Sequence, residues 1–114
     1  MKFYNVLILG CGASGSIAAI KASEKCDNIA IIDSSNKIAK KLLVTGNGRC
    51  NLGNKDLNIS KYYGTDLDIP GKCLKEFGTR DTIAFFQNLG LMVKDRDGYL
   101  YPYCEQASAV LDAP

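Results

Sequence analysis

The chain has no histidine among its 114 residues, which removes imidazole general-base chemistry and the usual His-containing zinc sites. It also lacks a bias of charge. Fourteen basic and 12 acidic residues give a formal net charge of +2, too balanced to argue for a nucleic-acid or anionic-membrane partner. Long apolar runs are missing too: Met1-Lys2-Phe3-Tyr4-Asn5 leads only into Val6-Leu7-Ile8-Leu9 before Gly10. That is short of a signal-peptide core and far short of a membrane span, so a cytoplasmic location is expected. The five cysteines, at positions 11, 26, 50, 73 and 104, form no C-x-x-C pair. An odd number of them without a secretory leader points to reduced thiols rather than a disulfide framework. No internal repeat, low-complexity segment or metal-ligand pattern is present, and no side chain stands out as catalytic. At 46% hydrophobic and 23% charged, the composition is that of an ordinary globular chain, with a length that suits one domain or part of one.

What is present is concentrated near the N-terminus. Val6–Leu9 reads as a strand of a parallel sheet, apolar continuously and expected to be buried on both faces. The glycine series Gly10-x-Gly12-x-x-Gly15 follows directly. Gly10 permits a tight exit from the strand, Gly12 lets backbone approach a pyrophosphate, and Gly15 lets the next helix sit close to the sheet. Ala13 to Glu24 carries helical spacing, so the N–H groups at its start, around Ala13 and Ser14, point at the phosphates. A second strand, Ile29-Ala30-Ile31-Ile32, ends in Asp33, near the offset of about 20 residues expected of a ribose-binding carboxylate. A carboxylate there repels a 2′-phosphate, and Ser34-Ser35-Asn36 offers no arginine to receive one, so the phosphorylated nicotinamide cofactor is disfavoured. The alternative is a glycine-rich βα turn without a ligand.

A second loop, Thr45-Gly46-Asn47-Gly48-Arg49-Cys50-Asn51, follows the lysine-rich segment that ends at Lys41. Gly46, Asn47 and Gly48 allow positive φ, so the loop can turn several amides toward one anion while Arg49 supplies a permanent charge. A hairpin turn at Asn47-Gly48 is the competing reading. Leu52 to Lys72 reads as irregular with one short helix near Ser60, because Asn54, Asn58, Gly64, Pro70 and Gly71 act as breakers. Thr79 or Asp81 caps a helix through about Leu89 that Gly90 stops. Leu91–Lys94 and Tyr99–Tyr101 flank Asp95-Arg96-Asp97-Gly98 as a hairpin, with Tyr99, Tyr101 and Tyr103 at alternate positions as packing residues. A last helix is expected over Glu105 to Ala113. Two parallel strands cannot cover their own faces, so the polypeptide reads as the opening of a larger protein.

The run Lys40-Lys41-Leu42-Leu43-Val44-Thr45-Gly46-Asn47-Gly48-Arg49-Cys50-Asn51 resembles the K-K-L-L-x-T-G-x-G-R-C-N signature of the HI0933-like flavoproteins. These are also known as BaiN-like or YhiN-like NAD(P)/FAD-dependent oxidoreductases. Asp81–Phe86, Gly98–Pro102 and Ala107–Ala113 resemble further segments of that family, so the likeness covers essentially the whole chain. It implies an α/β fold: a Rossmann-like FAD-binding βαβ unit, then a loop-rich segment, a helix and a β-hairpin. Residues 1–114 would be the N-terminal part of an FAD-binding domain, with the rest of that domain and a substrate domain beyond this chain.

The implied cofactor is FAD, its pyrophosphate over Gly10, Gly12, Ala13, Ser14 and Gly15 and its adenosine ribose on Asp33. Lys41, Thr45, Gly46, Asn47, Gly48, Arg49, Cys50 and Asn51 would line it, those from Thr45 on the flavin side. NAD(P)H would be the electron donor of the full-length protein. Asp33 replaces the glutamate common in flavin-binding members, and Cys11 a small glycine or alanine. The leading expectation is a segment of a flavin-dependent oxidoreductase, inactive by itself, in which the bends at 10–15 and 45–51 reach the same diphosphate. A truncated, non-catalytic nucleotide-binding module is the rival. A third reading makes Cys50 a redox thiol activated by Arg49.

Overall fold

The computed structural model describes residues 1–113. They form two compact units, Met1–Val44 and the chain from Thr45 onward.

The first unit is the expected βαβ motif: β1 (Val6–Leu9), α1 (Ala13–Ser23) and β2 (Ile29–Ile32), with the strands parallel from Val6↔Ile29 to Leu9↔Ile32. One expectation fails. Leu7 is 52% and Leu9 77% exposed, while Val6 and Ile8 are half-buried, so β1 is covered on one face only. A parallel strand becomes apolar on both sides because helices pack on both sides of its sheet, and here a single helix covers two strands. Gly15 explains how α1 sits so close: a Cβ there would strike the Gly10 carbonyl oxygen and stand 3.5 Å from Ile8 Cγ2. After β2, Ser34 to Lys41 forms bends rather than a regular element, and a 3₁₀ turn covers Leu42–Val44. In the segment before that turn, Ala39 adopts φ 48°, is buried, and donates its N–H to the Cys11 carbonyl at 2.8 Å.

The second unit is an antiparallel three-stranded sheet, ordered β3 (Gly53–Asn54), β5 (Tyr99–Pro102), β4 (Val93–Arg96), with α2 (Asp68–Glu76), α3 (Thr79–Asn88) and α4 (Ala107–Leu111). The β4–β5 hairpin turns on Asp97 and Gly98, with φ of 52° and 87°, the pair of positive angles a two-residue type I′ turn requires. Asp95 and Arg96, expected in the turn, belong to β4 because Arg96 pairs with Tyr99. Leu100, 2% exposed at the centre of β5, and the buried Pro102 beside it hold the core together with Tyr101, Cys50 and Ala107. The three tyrosines do not share an environment: Tyr101 is buried, whereas Tyr99 and Tyr103 are exposed.

Three further expectations change. The segment 52–72 is less irregular than its breakers suggest, since besides the 3₁₀ turn at Ile59–Lys61 it supplies β3 and starts α2. Pro70 is the third residue of α2, where its missing N–H has no intrahelical acceptor to lose. The last helix begins at Ala107 rather than Glu105, whose φ of 54° is not helical. Finally, Asn47-Gly48 closes no hairpin: β3 pairs with β5 and not with the run before Gly46. The helix expected from Thr79 or Asp81 forms over Thr79–Asn88, but its cap is neither of them. Gly78 is its N-cap, the Asp81 carboxylate accepts the Gly78 N–H at 2.9 Å, and Gly90 follows its end at φ 79°.

Candidate functional site

The turn from β1 into α1 brings together Gly10, Gly12, Ala13, Ser14, Gly15 and Asp33. Its donors divide cleanly. The Gly10 N–H reaches Ile32 O at 2.7 Å, the Cys11 N–H reaches Asp33 Oδ2 at 2.6 Å, and the Ser16 N–H makes the first intrahelical bond, to Gly12 O at 2.9 Å. Between them, the N–H groups of Gly12, Ala13, Ser14 and Gly15 have no acceptor among the described residues, and no side chain caps α1. Four N–H groups without an acceptor stand at the positive end of an eleven-residue helix, an arrangement whose electrostatics favour negative charge.

The three glycines do different work. Gly10 has φ 96°, which a side chain would strain, and Gly15 is required by the contact with the Gly10 carbonyl. Gly12 has φ −85° and ψ −170°, ordinary for any residue, and a Cβ on it would meet nothing within 4 Å. Neither backbone angle nor space demands glycine at position 12; within the fold its one role is as the N-cap of α1, where glycine is better than a β-branched residue.

Asp33, half-exposed at the end of β2, accepts the Cys11 N–H on Oδ2 and the Ser35 N–H on Oδ1 at 2.7 Å. These bonds hold its carboxyl below the ordinary carboxylate value, the one from Cys11 contributing most. With Ala39 donating to the Cys11 carbonyl, the peptide groups flanking Cys11 are pinned on both sides. Asp33 therefore organises the glycine turn, a role invisible in the sequence. Each carboxylate oxygen keeps lone-pair capacity for a further donor. The Cys11 side chain is buried with Sγ 3.8 Å from Ser16 Oγ. Lys41 is exposed, and its carbonyl accepts the Val44 N–H at 3.2 Å.

In the second unit, Gly46, Asn47 and Gly48 take successive positive φ values of 55°, 56° and 79°, and Cys50 adds a fourth at 58°. They wind a left-handed turn whose own bonds consume amides: Gly48 and Cys50 both donate to Thr45 O, at 3.1 and 3.0 Å, and Arg49 donates to Gly46 O at 3.2 Å. The loop therefore offers fewer donors than expected. Gly46 and Asn47 retain backbone N–H groups without an acceptor among the described residues. The Asn51 side chain accepts the Gly53 N–H at 3.1 Å, an Asx turn that leads into β3.

Two readings of this loop are corrected. Cys50 is 5% exposed, and burial pushes its thiol above the usual value, with a hydrogen bond involving Thr45 opposing the shift. A reactive thiol needs the opposite shift and access, so the redox reading falls. Arg49, half-buried, does not activate it. The Arg49 guanidinium carbon lies 5.2 Å from the centroid of the Tyr101 ring, and its Nε donates to Gly46 O at 3.2 Å. An open cleft of about 210 Å³ lined by Gln87, Gly90, Leu91, Met92 and Val93 shares no residue with either loop. Among the described residues no helix is long and apolar enough to cross a membrane, and no cluster of side chains could hold a metal ion.

Comparison with known proteins agrees with this architecture. Residues 4–113 match the family model described as the HI0933-like protein Rossmann domain. The chain is 46% identical over 107 residues to the 3-dehydro-bile acid delta(4,6)-reductase of Clostridium scindens, covering 92% of this chain and 26% of that protein. It is 23% identical over 103 residues to the ribosomal RNA dihydrouridine synthase of Haemophilus influenzae, covering 90% of this chain and 25% of that protein. With the enzyme of the same name from Escherichia coli it shares 26% over 91 residues, 80% of this chain and 23% of that one. The chain thus spans about a quarter of the length of the curated relatives it matches.

Proposed function

The chain belongs to the HI0933-like Rossmann family, and we propose that residues 1–114 are the N-terminal part of an FAD-binding domain in a flavin-dependent oxidoreductase. The observation that carries this reading is the set of four unpartnered N–H groups from Gly12 to Gly15, on a turn where Gly12 leaves open space. Such donors match a diphosphate, whose charge the helix start also favours.

In this proposal Gly10, Gly12, Ala13, Ser14 and Gly15 seat the pyrophosphate, and Asp33 accepts the ribose hydroxyls while keeping the turn ordered. Lys41 and the loop from Thr45 through Gly46, Asn47, Gly48, Arg49 and Cys50 to Asn51 serve the cofactor as a second group. Within that loop the free Gly46 and Asn47 amides are its donors. FAD, when bound, supplies the hydride and electron transfer that no side chain of this chain can. The protein's part is to bind and orient it, since the chain holds no histidine and no side chain assigned to proton transfer. NAD(P)H is the proposed electron donor, the cytosol the proposed location, and nucleic acid is not a proposed partner. The greater likeness to a reductase than to the dihydrouridine synthases favours reduction of a small unsaturated molecule.

A second reading, a nucleotide-binding module that turns nothing over, draws on the uncovered apolar side chains of the βαβ unit: Leu7, Leu9, Ile31 and Ile32. Purification of the full-length protein separates the two. The flavin reading expects a yellow protein with a perturbed flavin spectrum that NAD(P)H bleaches. A protein that binds adenine nucleotide but retains no FAD supports the second reading, and a colourless protein that binds neither refutes both.

A further inference from the structure

We infer that Arg49 is a positioning residue which latches the left-handed turn at Gly46–Gly48 onto the buried ring of Tyr101, rather than a cation held out to the cofactor's phosphates. The inference deepens the flavin reading of this loop and rests on it for its functional consequence.

The latch is built from both sides of one side chain. Arg49 Nε donates to Gly46 O at 3.2 Å, while the guanidinium carbon lies 5.2 Å from the Tyr101 ring centroid. The turn lies close to that ring, with no room for a side chain: a Cβ on Gly46 would stand 3.2 Å from Tyr101 Cε1 and 2.7 Å from the Asn51 amide nitrogen. Tyr101 is 9% exposed and fixed in β5, so it provides a rigid floor. The far side of the turn is tied as well: the Gly48 carbonyl accepts the Ala107 N–H at 2.9 Å. Glu105, which pairs with Lys94 at 3.0 Å and Arg96 at 3.3 Å, also feels the Arg49 charge.

A turn with positive φ at Asn47 and Cys50 competes poorly with extended alternatives unless contacts fix it. The contacts Arg49 makes need a guanidinium specifically. Lysine keeps the charge but has neither an N–H at the Nε position nor a flat face to lay on a ring. A loop locked in advance presents the Gly46 and Asn47 amides without an ordering cost at the moment of binding.

Hydrogen–deuterium exchange of peptides covering residues 45–51 in the full-length protein tests the latch without any ligand. Arg49→Lys and Tyr101→Leu should each speed exchange of the Gly48, Arg49 and Cys50 amides by about tenfold, the scale of one lost hydrogen bond. In Arg49→Lys, which leaves the core of β5 intact, peptides from the β4–β5 hairpin should be unchanged. Tyr101→Phe should behave as wild type, and the Arg49→Lys/Tyr101→Leu double variant should be no faster than either single one, as for two residues acting through one contact. In the same set, FAD should bind about tenfold more weakly to the two single variants, with the wild-type dependence on salt. If Tyr101→Leu does not fold, Arg49→Met takes its place and should match Arg49→Lys. Wild-type exchange in Arg49→Lys overturns the latch. So does a Kd that lysine preserves and methionine loses, the mark of a phosphate-facing charge. A wild-type protein that binds no FAD sinks the flavin reading instead, and leaves the exchange result to decide the latch.

Discussion

Replacing Gly12 by valine separates what a ligand demands of the glycine turn from what the fold demands. At φ −85° and ψ −170°, valine sits comfortably, and its Cβ meets nothing within 4 Å. Two small effects oppose each other in stability: a poorer N-cap residue costs up to about 1 kcal/mol, and a stiffer unfolded chain returns about 0.4–1 kcal/mol. The urea midpoint should therefore barely move. Binding is another matter, because the added side chain fills the space above the free amides of residues 12–15. Displacing a diphosphate from even one charge-assisted hydrogen bond costs about 1.5–3 kcal/mol, roughly 10- to 150-fold in Kd. Gly15→Ala provides the contrast: its Cβ collides with the Gly10 carbonyl, and such overpacking destabilises by about 1–3 kcal/mol. The assay is a urea titration and an FAD titration on each full-length variant. The reasoning is refuted if Gly12→Val binds FAD like wild type, or if it lowers stability as much as Gly15→Ala does.

Three other substitutions or titrations follow from the same geometry. Asp33, with its folded-state pKa depressed by the Cys11 and Ser35 amides, contributes stability present above the ordinary carboxylate value and lost as pH falls through the lower folded one. Acid titration of Asp33→Asn should accordingly show a flatter loss of stability than wild type below about pH 4, the region of an ordinary aspartate. Cys50 shifts the other way. Its raised thiol pKa favours the neutral folded form, so its contribution is full below the ordinary thiol value and fades as pH rises through the raised one. Timed iodoacetamide labelling at pH 8 with peptide mapping should find the exposed Cys73 and Cys104 modified well before Cys50 and Cys11, and early labelling of Cys50 would restore the redox reading. Gly98→Ala should cost about 1–2 kcal/mol in urea unfolding, because position 98 holds φ 87° in the hairpin turn; an unchanged midpoint would count against that turn geometry.

Much of this protein is written locally. Val6–Leu9, the glycine series and Ile29–Ile32 carry a βαβ unit in their spacing because apolar run, turn and helix period are properties of adjacent residues, and Asp97-Gly98 carries its hairpin for the same reason. Pro70-Gly71 misled because a breaker's effect depends on its position in a helix, and only the position of α2 shows that Pro70 falls in the first turn. The uncovered side chains of Leu7 and Leu9 were equally illegible, since apolar character says what a residue prefers and not what lies above it.

At the two loops the division is sharper. Residue types alone determined where positive φ is affordable, where a helix start exposes amides, and that a carboxylate ends β2. Which of those amides stay free was decided only in three dimensions, because hydrogen bonds between distant positions compete for the same donors. Asp33 captures the Cys11 N–H from 22 residues away, the turn at 46–48 takes up the amides of Gly48, Arg49 and Cys50, and Arg49 turns onto a ring that reaches it through the sheet.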